Sequence, residues 1–218
     1  MKKLVILSLS MILMMGCGTL NNLNKQQKGT IAGTAGGALL GAAVSKGSVW
    51  GILAGAAVGG VAGNLIGKKM DAQAKELMQA VPSAEVSRVG EGINMTFDSS
   101  LAFKINSSDL SPSYLSDLSA AAQVFKEYPD TNILIEGHTD DSGAAEYNYA
   151  LSEKRAMAVS NYFASQGIAS SRLTTKWYGE TQPKYPNDDA NREKNRRVEL
   201  GIYANDDMKS DANQGRLD

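Results

Sequence analysis

The chain has 218 residues, and its 22 lysine and arginine side chains against 23 aspartate and glutamate side chains give a formal net charge of −1. This near-neutral balance without a basic stripe excludes a nucleic-acid partner, because binding a phosphate backbone requires a positively charged surface. One cysteine and one histidine exclude a disulfide framework and a Cys/His metal site, so we expect no cofactor.

The first segment has the pattern of a bacterial secretion signal. Two lysines precede an uncharged run from Leu4 to Met15, and Gly16 and Cys17 follow. This pattern resembles a lipoprotein signal, which implies that residues 1–16 are removed and that Cys17 is acylated. The alternative is a buried thiol, or a cysteine that is removed with the signal. Removal of residues 1–16 would take away two lysines and leave a net charge of −3, with 20 basic against 23 acidic side chains.

The residue after the cysteine bears on the location of the protein. By the same resemblance, Gly18 in place of aspartate implies sorting to the outer membrane. Residues 17–28 would then form the acylated N-terminus and a linker. We therefore expect a lipid-anchored protein of the cell outer membrane, with its C-terminal domain in the periplasm.

Residues 29–67 carry glycine at a spacing of four, which places successive glycines close together on one helix surface, where another helix can pack closely. The glycines are Gly29, Gly33, Gly37 and Gly41, and then Gly47, Gly51, Gly55, Gly59, Gly63 and Gly67. We predict a hairpin of two helices, Thr30 to Val44 and Val49 to Ile66, which resembles the glycine zippers of some lipoproteins. Their lengths of about 22 and 27 Å approach the roughly 30 Å core of a bilayer. Membrane insertion and a soluble hairpin or self-associated oligomer both stay open.

The rest of the chain predicts one α+β domain between a spacer and a tail. Residues 68–84 form a polar helical stretch that ends near Pro82, and we predict a spacer there. Residues 85–204 follow the order strand, helix, strand, helix, strand, strand, which indicates helices packed on one sheet. Residues 205–218 are polar with few apolar side chains, so we predict a disordered tail.

Two opposite charges lie fifteen residues apart within this domain. Asp140 follows the apolar run from Ile133 to Ile135, which is predicted to be a buried strand, and Arg155 lies in the predicted helix that follows Gly143. A carboxylate at the carboxyl end of a strand lies where open α/β sheets place ligands. From the residues alone, Asp140 is more often a turn or capping residue than a ligand, and Arg155 is more often a solvated helix residue or an internal ion-pair partner.

Ordered sequence blocks surround this pair. They are G-H-T-D-x-x-G from Gly137 to Gly143, N-x-x-L-S-x-x-R-A from Asn148 to Ala156, G-I-x-x-x-R-L from Gly167 to Leu173, and N-R-x-x-N-R-R-V-E from Asn191 to Glu199. Together with Gly179-Glu180 and Pro183, these blocks resemble the OmpA-like peptidoglycan-binding domains, a family that includes peptidoglycan-associated lipoproteins and flagellar stator proteins. The resemblance covers roughly residues 85–204 and implies a βαβαββ fold with helices on a mixed sheet.

The resemblance also implies a ligand and its binding residues. It implies noncovalent binding of the diaminopimelate residue of the peptidoglycan stem peptide, with Asp140 and Arg155 at the positions of the family's aspartate and arginine. A carboxylate suits the side-chain ammonium of this zwitterion, and a guanidinium takes a carboxylate in a two-pronged pair. Thr139 and Gly143, in the same block as Asp140, are further site candidates.

Other residues near the pair have two interpretations each. Asn148 and Leu151 share a helix face with Arg155 and are predicted to line the pocket, but Leu151 also fits the core and Asn148 also fits a loop anchor. Asn195 and Arg196 are secondary candidates that contact the glycan or, with Arg197, pair with carboxylates inside the domain. The lone histidine, His138, is predicted to be structural.

The sequence contains no nucleophile elbow, phosphate-binding loop or Cys/His pair, so we predict that the protein is not an enzyme. A glycosidase would need two carboxylates facing across a cleft, and the adjacent Asp140 and Asp141 diverge in an ordinary backbone. The leading hypothesis is a lipoprotein that tethers the outer membrane to peptidoglycan. The alternative gives the main role to oligomerisation or membrane interaction of the glycine zipper, with peptidoglycan binding supplying only its location.

Overall fold

The computed structural model describes residues 48–55, 58–98, 102–103 and 106–217. The predicted secretion signal, the lipidation site at Cys17, the linker and the first zipper helix lie outside these residues. Within the described residues, no helix is both long enough and apolar enough to span a bilayer.

The domain is built on a five-stranded mixed sheet. The strands are β1 (Glu85–Val89), β2 (Gly92–Asp98), β3 (Thr131–His138), β4 (Leu173–Gly179) and β5 (Arg197–Ala204), and their order in the sheet is β1-β2-β5-β3-β4. Strands β3 and β4 are parallel, and the other neighbouring pairs are antiparallel. The predicted α+β class and mixed sheet are confirmed. The prediction missed β1, because this edge strand is only partly buried and lacks a clear alternation of apolar residues.

Six α-helices and one 3-10 helix (Ser170–Arg172) accompany the sheet in the described residues. The α-helices are α1 (Val49–Gly55), α2 (Gly60–Ala80), α3 (Pro112–Glu127), α4 (Ala145–Ser165), α5 (Arg192–Asn195) and α6 (Asp206–Asn213). Helix α3 begins with a cap, since the Ser111 side chain accepts a hydrogen bond from the Tyr114 backbone N–H and Pro112 occupies the first turn. Helix α4 stops before Gly167, whose φ of +90° belongs to the left-handed region that ends helices.

The main core lies on one face of the sheet, where alternate strand residues point inward. Its strand side chains are Ile93, Met95, Phe97, Ile133, Ile135, Val198, Leu200 and Ile202. Helices α2, α3, α4 and α6 cover this face. Phe125 of α3 and Phe163 of α4 meet edge to face at 5.3 Å between ring centroids, which joins the two helices that flank the predicted ligand site.

Helix α1 covers part of the opposite face. Val49 and Leu53 are fully buried against Leu134 of β3. A Cβ atom at Gly201 would lie 3.1 Å from a Val49 methyl group, so the glycine allows the helix to approach β5 closely. The backbone N–H of Val49 donates to Glu136 Oε1 at 2.8 Å, which caps the first turn of α1 from the sheet.

This packing corrects the predicted helix from Val49 to Ile66 and the predicted spacer at residues 68–84. Helix α1 ends at Gly55 and α2 begins at Gly60, and the positive φ angles of Gly59 and Gly60 are incompatible with one continuous helix. The residues assigned to the spacer continue in α2, where Met70, Ala74 and Leu77 are buried in the core. The described part of the predicted zipper and the predicted spacer therefore pack against the domain and form part of its core.

The prediction of a disordered tail is wrong for the described residues 205–217. The Asn205 side chain accepts a hydrogen bond from the Met208 backbone N–H at 2.9 Å and so caps helix α6. Met208, Ala212 and Leu217 are buried in the main core. Few apolar residues suffice here because their spacing places them on one side, facing α2 and the sheet.

Candidate ligand-binding site

The predicted site lies where β3 ends and the loop to α4 begins. The backbone N–H of Thr139 donates to the carbonyl oxygen of Gly179 at 2.9 Å, which extends the contact between β3 and β4 by one residue. Gly143 has a φ of +99°, a conformation that side chains rarely adopt, and nothing lies within 4 Å of a Cβ built on it. The turn therefore requires glycine for its backbone, and Gly143 itself offers no side-chain contact to a ligand.

Asp140 is a buried carboxylate, with only 4% of the residue exposed. Its Oδ1 accepts a hydrogen bond from the Ser142 backbone N–H at 3.0 Å, which is the turn role weighed for it from the sequence. Its Oδ2 pairs with Arg196 Nη1 at 2.8 Å. Each carboxylate oxygen has two lone pairs, so Asp140 retains acceptor capacity for a further cationic donor.

Arg155 extends from the third turn of α4 and is also only 4% exposed. Its Nε donates to the Ser107 carbonyl oxygen at 3.1 Å, and its guanidinium carbon lies 5.0 Å from the centroid of the Phe103 ring. The Phe103 ring thus contacts one face of the guanidinium, and the Ser107 carbonyl oxygen binds its Nε. Among the described residues, its terminal NH2 groups have no hydrogen-bond acceptor, so the two-pronged edge is left for a ligand.

Close packing of α4 on the sheet sets the position of Arg155. A Cβ atom at Gly137 would lie 2.1 Å from the Ser152 carbonyl oxygen, so only glycine lets α4 approach β3 this closely. The Ser152 hydroxyl accepts a hydrogen bond from the Gly179 backbone N–H at 2.9 Å and ties the same turn to β4. Arg155 is three residues beyond Ser152, one helical turn from this anchored point.

Asp140 and Arg155 influence each other without forming a direct ion pair among the described contacts. Burial lowers the pKa of the Arg155 guanidinium, and the nearby positive charge of Arg196 adds to that effect. Tyr147 and Asp140 act in the opposite direction and raise this pKa. The site therefore combines the Asp140 carboxylate, which Arg196 partly neutralises, with the Arg155 guanidinium, whose terminal NH2 groups are free among the described residues. The two groups do not pair with each other.

The side chain of Asn148, in the first turn of α4, binds the loop that precedes this helix. Its Nδ2 donates to the carbonyl oxygens of Asp140 and Ser142, each at 3.2 Å, and to Glu180 Oε2 at 2.6 Å. Its amide therefore anchors the loop that carries Asp140, which is the alternative weighed for it from the sequence. Leu151 is buried, with 8% exposed, but belongs to neither apolar cluster of the described residues, which is compatible with its prediction as a pocket edge.

Thr139 differs from its neighbours because its hydroxyl has no described partner. Its Oγ1 is buried and makes no hydrogen bond to any described residue, although its backbone N–H is bonded to Gly179. A buried hydroxyl without a partner is unfavourable by about 1–3 kcal/mol. Thr139 is therefore well suited to donate to, or accept from, a polar group of a ligand beside Asp140.

Asn195 and Arg196 have separate roles. The Asn195 side chain is fully buried, accepts hydrogen bonds from the backbone N–H groups of Lys184 and Tyr185, and donates to the Tyr185 carbonyl oxygen. These hydrogen bonds hold the loop between β4 and β5, so the Asn195 side chain is not positioned to contact the glycan. Arg196 is half-exposed and bridges Asp140 and Glu193, so it belongs to the site.

Arg197 is a partner of a carboxylate inside the domain, one of the two roles weighed for it from the sequence. Its Nε lies 2.5 Å from Glu199 Oε1, and its terminal nitrogens donate to the Asn195 and Gln182 carbonyl oxygens. This buried pair holds the start of β5 beneath the loop that presents Arg196. Arg197 therefore supports the Asp140 site through this pair and makes no described contact with Asp140.

His138 is buried and lies parallel to the Tyr178 ring, with 5.4 Å between centroids. Burial lowers its pKa well below the ordinary value, and the neighbouring Arg197 contributes in the same direction. The imidazole is therefore neutral, and its 3.7 Å approach to Glu136 is not an ion pair. Within the described residues, no cluster of potential ligands suited to a metal ion forms around it.

The sequence analysis missed the residues that hold Arg155. Phe103 and Ser107 precede α3 and lie about fifty residues before Arg155, and the Ser107 contact uses a backbone oxygen. No periodicity or spacing connects such groups, since the contact exists only after the domain folds. Glu180 was visible within the Gly179-Glu180 block, but its contact with Asn148 was not predicted.

Comparison with known proteins supports the resemblance. Residues 102–197 match the OmpA family, and residues 1–71 match the YMGG-like Gly-zipper. The chain is 33% identical over 143 residues to the probable lipoprotein YiaD of Escherichia coli (strain K12), which covers 64% of this chain and 65% of YiaD. It is 37% identical over 102 residues to a peptidoglycan-associated lipoprotein of Legionella pneumophila, covering 46% of this chain and 57% of that protein. The resemblance to both families is thus confirmed.

A solved structure supports the fold. The crystal structure of a MotB-like protein from Desulfovibrio vulgaris aligns with a TM-score of 0.61 and 26% identity, covering 65% of this chain and 95% of that one. The chain thus covers nearly all of this structure but no more than 65% of the length of the two curated relatives.

Proposed function

We propose that this protein binds the diaminopimelate residue of peptidoglycan through Asp140 and Arg155, and that an acylated Cys17 holds it in the outer membrane. The resulting activity is a noncovalent, nonenzymatic tether between two layers of the cell envelope. Support for an envelope location comes from similarity to a peptidoglycan-associated lipoprotein and to a probable lipoprotein. In this proposal the C-terminal domain lies in the periplasm.

One observation carries the ligand assignment. Asp140 and Arg155 are buried, opposite in charge and near enough to affect one another, yet each keeps hydrogen-bonding capacity that no described residue uses. A ligand with an ammonium group and a carboxylate on the same carbon satisfies both. Charge-assisted hydrogen bonds of this kind are among the stronger polar contacts in proteins.

The arrangement favours binding over hydrolysis. The carboxylate of Asp140 is bonded to Arg196 and to the Ser142 N–H, which fixes its orientation and leaves lone pairs that can accept from an ammonium. The neighbouring Asp141 pairs with Arg192 at 2.9 Å on the outside of the loop. The two adjacent carboxylates thus have separate partners and do not form the facing pair that a glycosidase needs.

The ligand assignment is tested by conservative substitutions with matched neighbours. We expect Asp140→Asn and Arg155→Lys each to weaken binding to purified sacculi by at least about tenfold, because each removes a charge-assisted or two-pronged contact. Asp141→Asn removes the same carboxylate charge at the adjacent, exposed position, and Lys154→Gln removes a positive charge beside Arg155; both should leave binding within about twofold. Sacculus pull-down with free diaminopimelate as competitor gives the measurement. Undiminished binding of both site variants would contradict the proposal.

The membrane anchor is tested at Cys17. Cys17→Ser removes the thiol that would carry the acyl group, so we expect the variant to lose fatty-acid labelling and to leave the outer-membrane fraction. The sacculus binding of the purified variant should equal that of the unmodified chain, because residue 17 is outside the domain. Continued labelling of Cys17→Ser would show that the anchor lies elsewhere.

A further inference from the structure

A small basic cavity lies between the sheet and the loop that joins β4 to β5. Its volume is about 170 Å³, enough for a carboxylate with several neighbouring atoms, since one water in the liquid occupies roughly 30 Å³. The loop contributes Lys184, Tyr185 and Lys194, and the sheet contributes Glu85, Thr96 and Arg197. Among these groups the cations outnumber the carboxylate.

Both lysines approach the same aromatic ring. The ammonium nitrogens of Lys184 and Lys194 lie 5.8 and 5.4 Å from the centroid of the Tyr185 ring. Such contacts stabilise a cation only weakly at a solvent-accessible site, by about 0.5–1 kcal/mol. Two positive charges beside one ring make the surroundings of that ring favourable for an anion.

The cavity's own carboxylate does not neutralise both lysines. Glu85 lies 3.1 Å from Lys184, but 64% of its side chain is exposed, so the pair is weak and open to exchange. Lys194 Nζ donates to the neutral Asn191 Oδ1 at 3.0 Å. Arg197 is matched by Glu199 and adds no net charge. One positive charge is therefore left in the cavity.

The cavity and the Asp140 site are built on consecutive residues. The Asn195 side chain accepts hydrogen bonds from the backbone N–H groups of Lys184 and Tyr185 at the cavity. The next residue, Arg196, pairs with Asp140. Asn195 and Arg196 are consecutive, so the loop that lines the cavity leads directly into the residue that pairs with Asp140. Thr96, opposite Glu199 in the sheet register, places the cavity near the same end of the sheet as Asp140.

We propose that this cavity binds a carboxylate of the peptidoglycan stem peptide other than those of diaminopimelate. The inference rests on the proposed function and adds a second point of attachment to it. Lys184 and Lys194 supply the charge, the Tyr185 ring supplies an apolar wall, and Glu85 is displaced from Lys184 when the ligand carboxylate enters. Binding at two points would select a whole stem peptide over free diaminopimelate.

The test compares two soluble stem peptides that contain diaminopimelate. One has all its carboxylates free, and in the other the carboxylates outside diaminopimelate are amidated. We expect the double variant Lys184→Gln/Lys194→Gln of the full chain to bind the free peptide about fivefold more weakly than the unmodified protein, and to bind the amidated peptide equally well. Titration calorimetry gives both affinities, and circular dichroism checks that the variant is folded.

A control separates this site from general electrostatics. Lys75→Gln/Lys126→Gln removes the same two charges from exposed positions on α2 and α3 and should retain both affinities. Equal losses for the two peptides, no loss at all, or a control that matches the cavity variant would each overturn the inference. If the unmodified protein binds neither peptide, the proposed function fails as well, so the two failures are distinguishable.

Discussion

Glu136 occupies an unusual position for an acidic residue, in the middle of β3 with 1% of its surface exposed. It stands directly opposite Glu199 in the sheet register, and its Oε1 accepts hydrogen bonds from the Val49 N–H at 2.8 Å and the Tyr178 hydroxyl at 3.3 Å. Burial raises its pKa from 4.5 to about 7, with Glu199 acting in the same direction and the Val49 hydrogen bond opposing. The charge state of Glu136 therefore changes near neutral pH.

This pKa predicts a loss of stability as the pH rises. The folded-state pKa lies above the unfolded value, so the contribution of Glu136 to stability is fully present below about pH 4.5 and is lost as the pH passes through about 7. Glu136→Gln keeps an acceptor for Val49 and cannot ionise. Between pH 5 and pH 8 we expect the wild type to lose about 2–3 kcal/mol of unfolding free energy relative to this variant.

Urea unfolding of both proteins at the two pH values measures the difference. The exposed substitution Glu127→Gln serves as a control that should follow the wild type at each pH. A constant difference between Glu136→Gln and the wild type across this range would show that Glu136 does not titrate there.

At the scale of elements, α1 has the most consequential position. This seven-residue helix is too short to be stable alone and depends on the sheet for its first-turn hydrogen bond and its apolar contacts. Gly92 and Gly201 make room for Leu53 and Val49, respectively. The end of the zipper region therefore packs closely on the outer face of the α+β domain.

Docking of α1 is tested at Leu53, which is fully buried. Leu53→Ala removes apolar contacts and leaves a cavity, so we expect a loss of about 2–4 kcal/mol in the free energy of unfolding. Val61→Ala, at a position that is 79% exposed on α2, should change it by less than about 0.5 kcal/mol. Urea denaturation compares the two. An unchanged midpoint for Leu53→Ala would mean that α1 does not dock in solution.

For the whole molecule, the packing of α1, α2 and α6 on the domain predicts one cooperative unit across the described residues. Val49 of α1, Met70 of α2 and Met208 of α6 are each fully buried. In the described residues 48–55 and 58–80, α1 packs on the sheet and α2 runs from Gly60 to Ala80 in the core, so this part of the chain is not a free linker.

The two tryptophans provide a direct test of this cooperativity. Trp50 is on α1 and Trp177 is on β4, and the sequence contains no others. In the single-tryptophan variants Trp50→Phe and Trp177→Phe, fluorescence reports β4 and α1 separately. We expect the two urea transitions, each compared with circular dichroism of the same variant, to coincide with the global transition. An early transition reported by Trp50 would show that α1 unfolds independently of the sheet.

The sequence by itself determined the α+β class, the buried strand at Ile133 to Ile135 and the helix that follows Gly143. Each depends on local periodicity or on the conformational preference of one residue, and both are visible in the order of amino acids. The motif blocks also pointed to Asp140 and Arg155 as the candidate pair. Only the tertiary structure decided that Asn148 and Asn195 hold loops, that Arg196 grips Asp140, and that Phe103 and Ser107 hold Arg155. It also decided that the end of the zipper docks on the sheet and that the polar tail forms α6. These outcomes depend on contacts between residues far apart in sequence, whose energies exist only once the chain has folded around a common core.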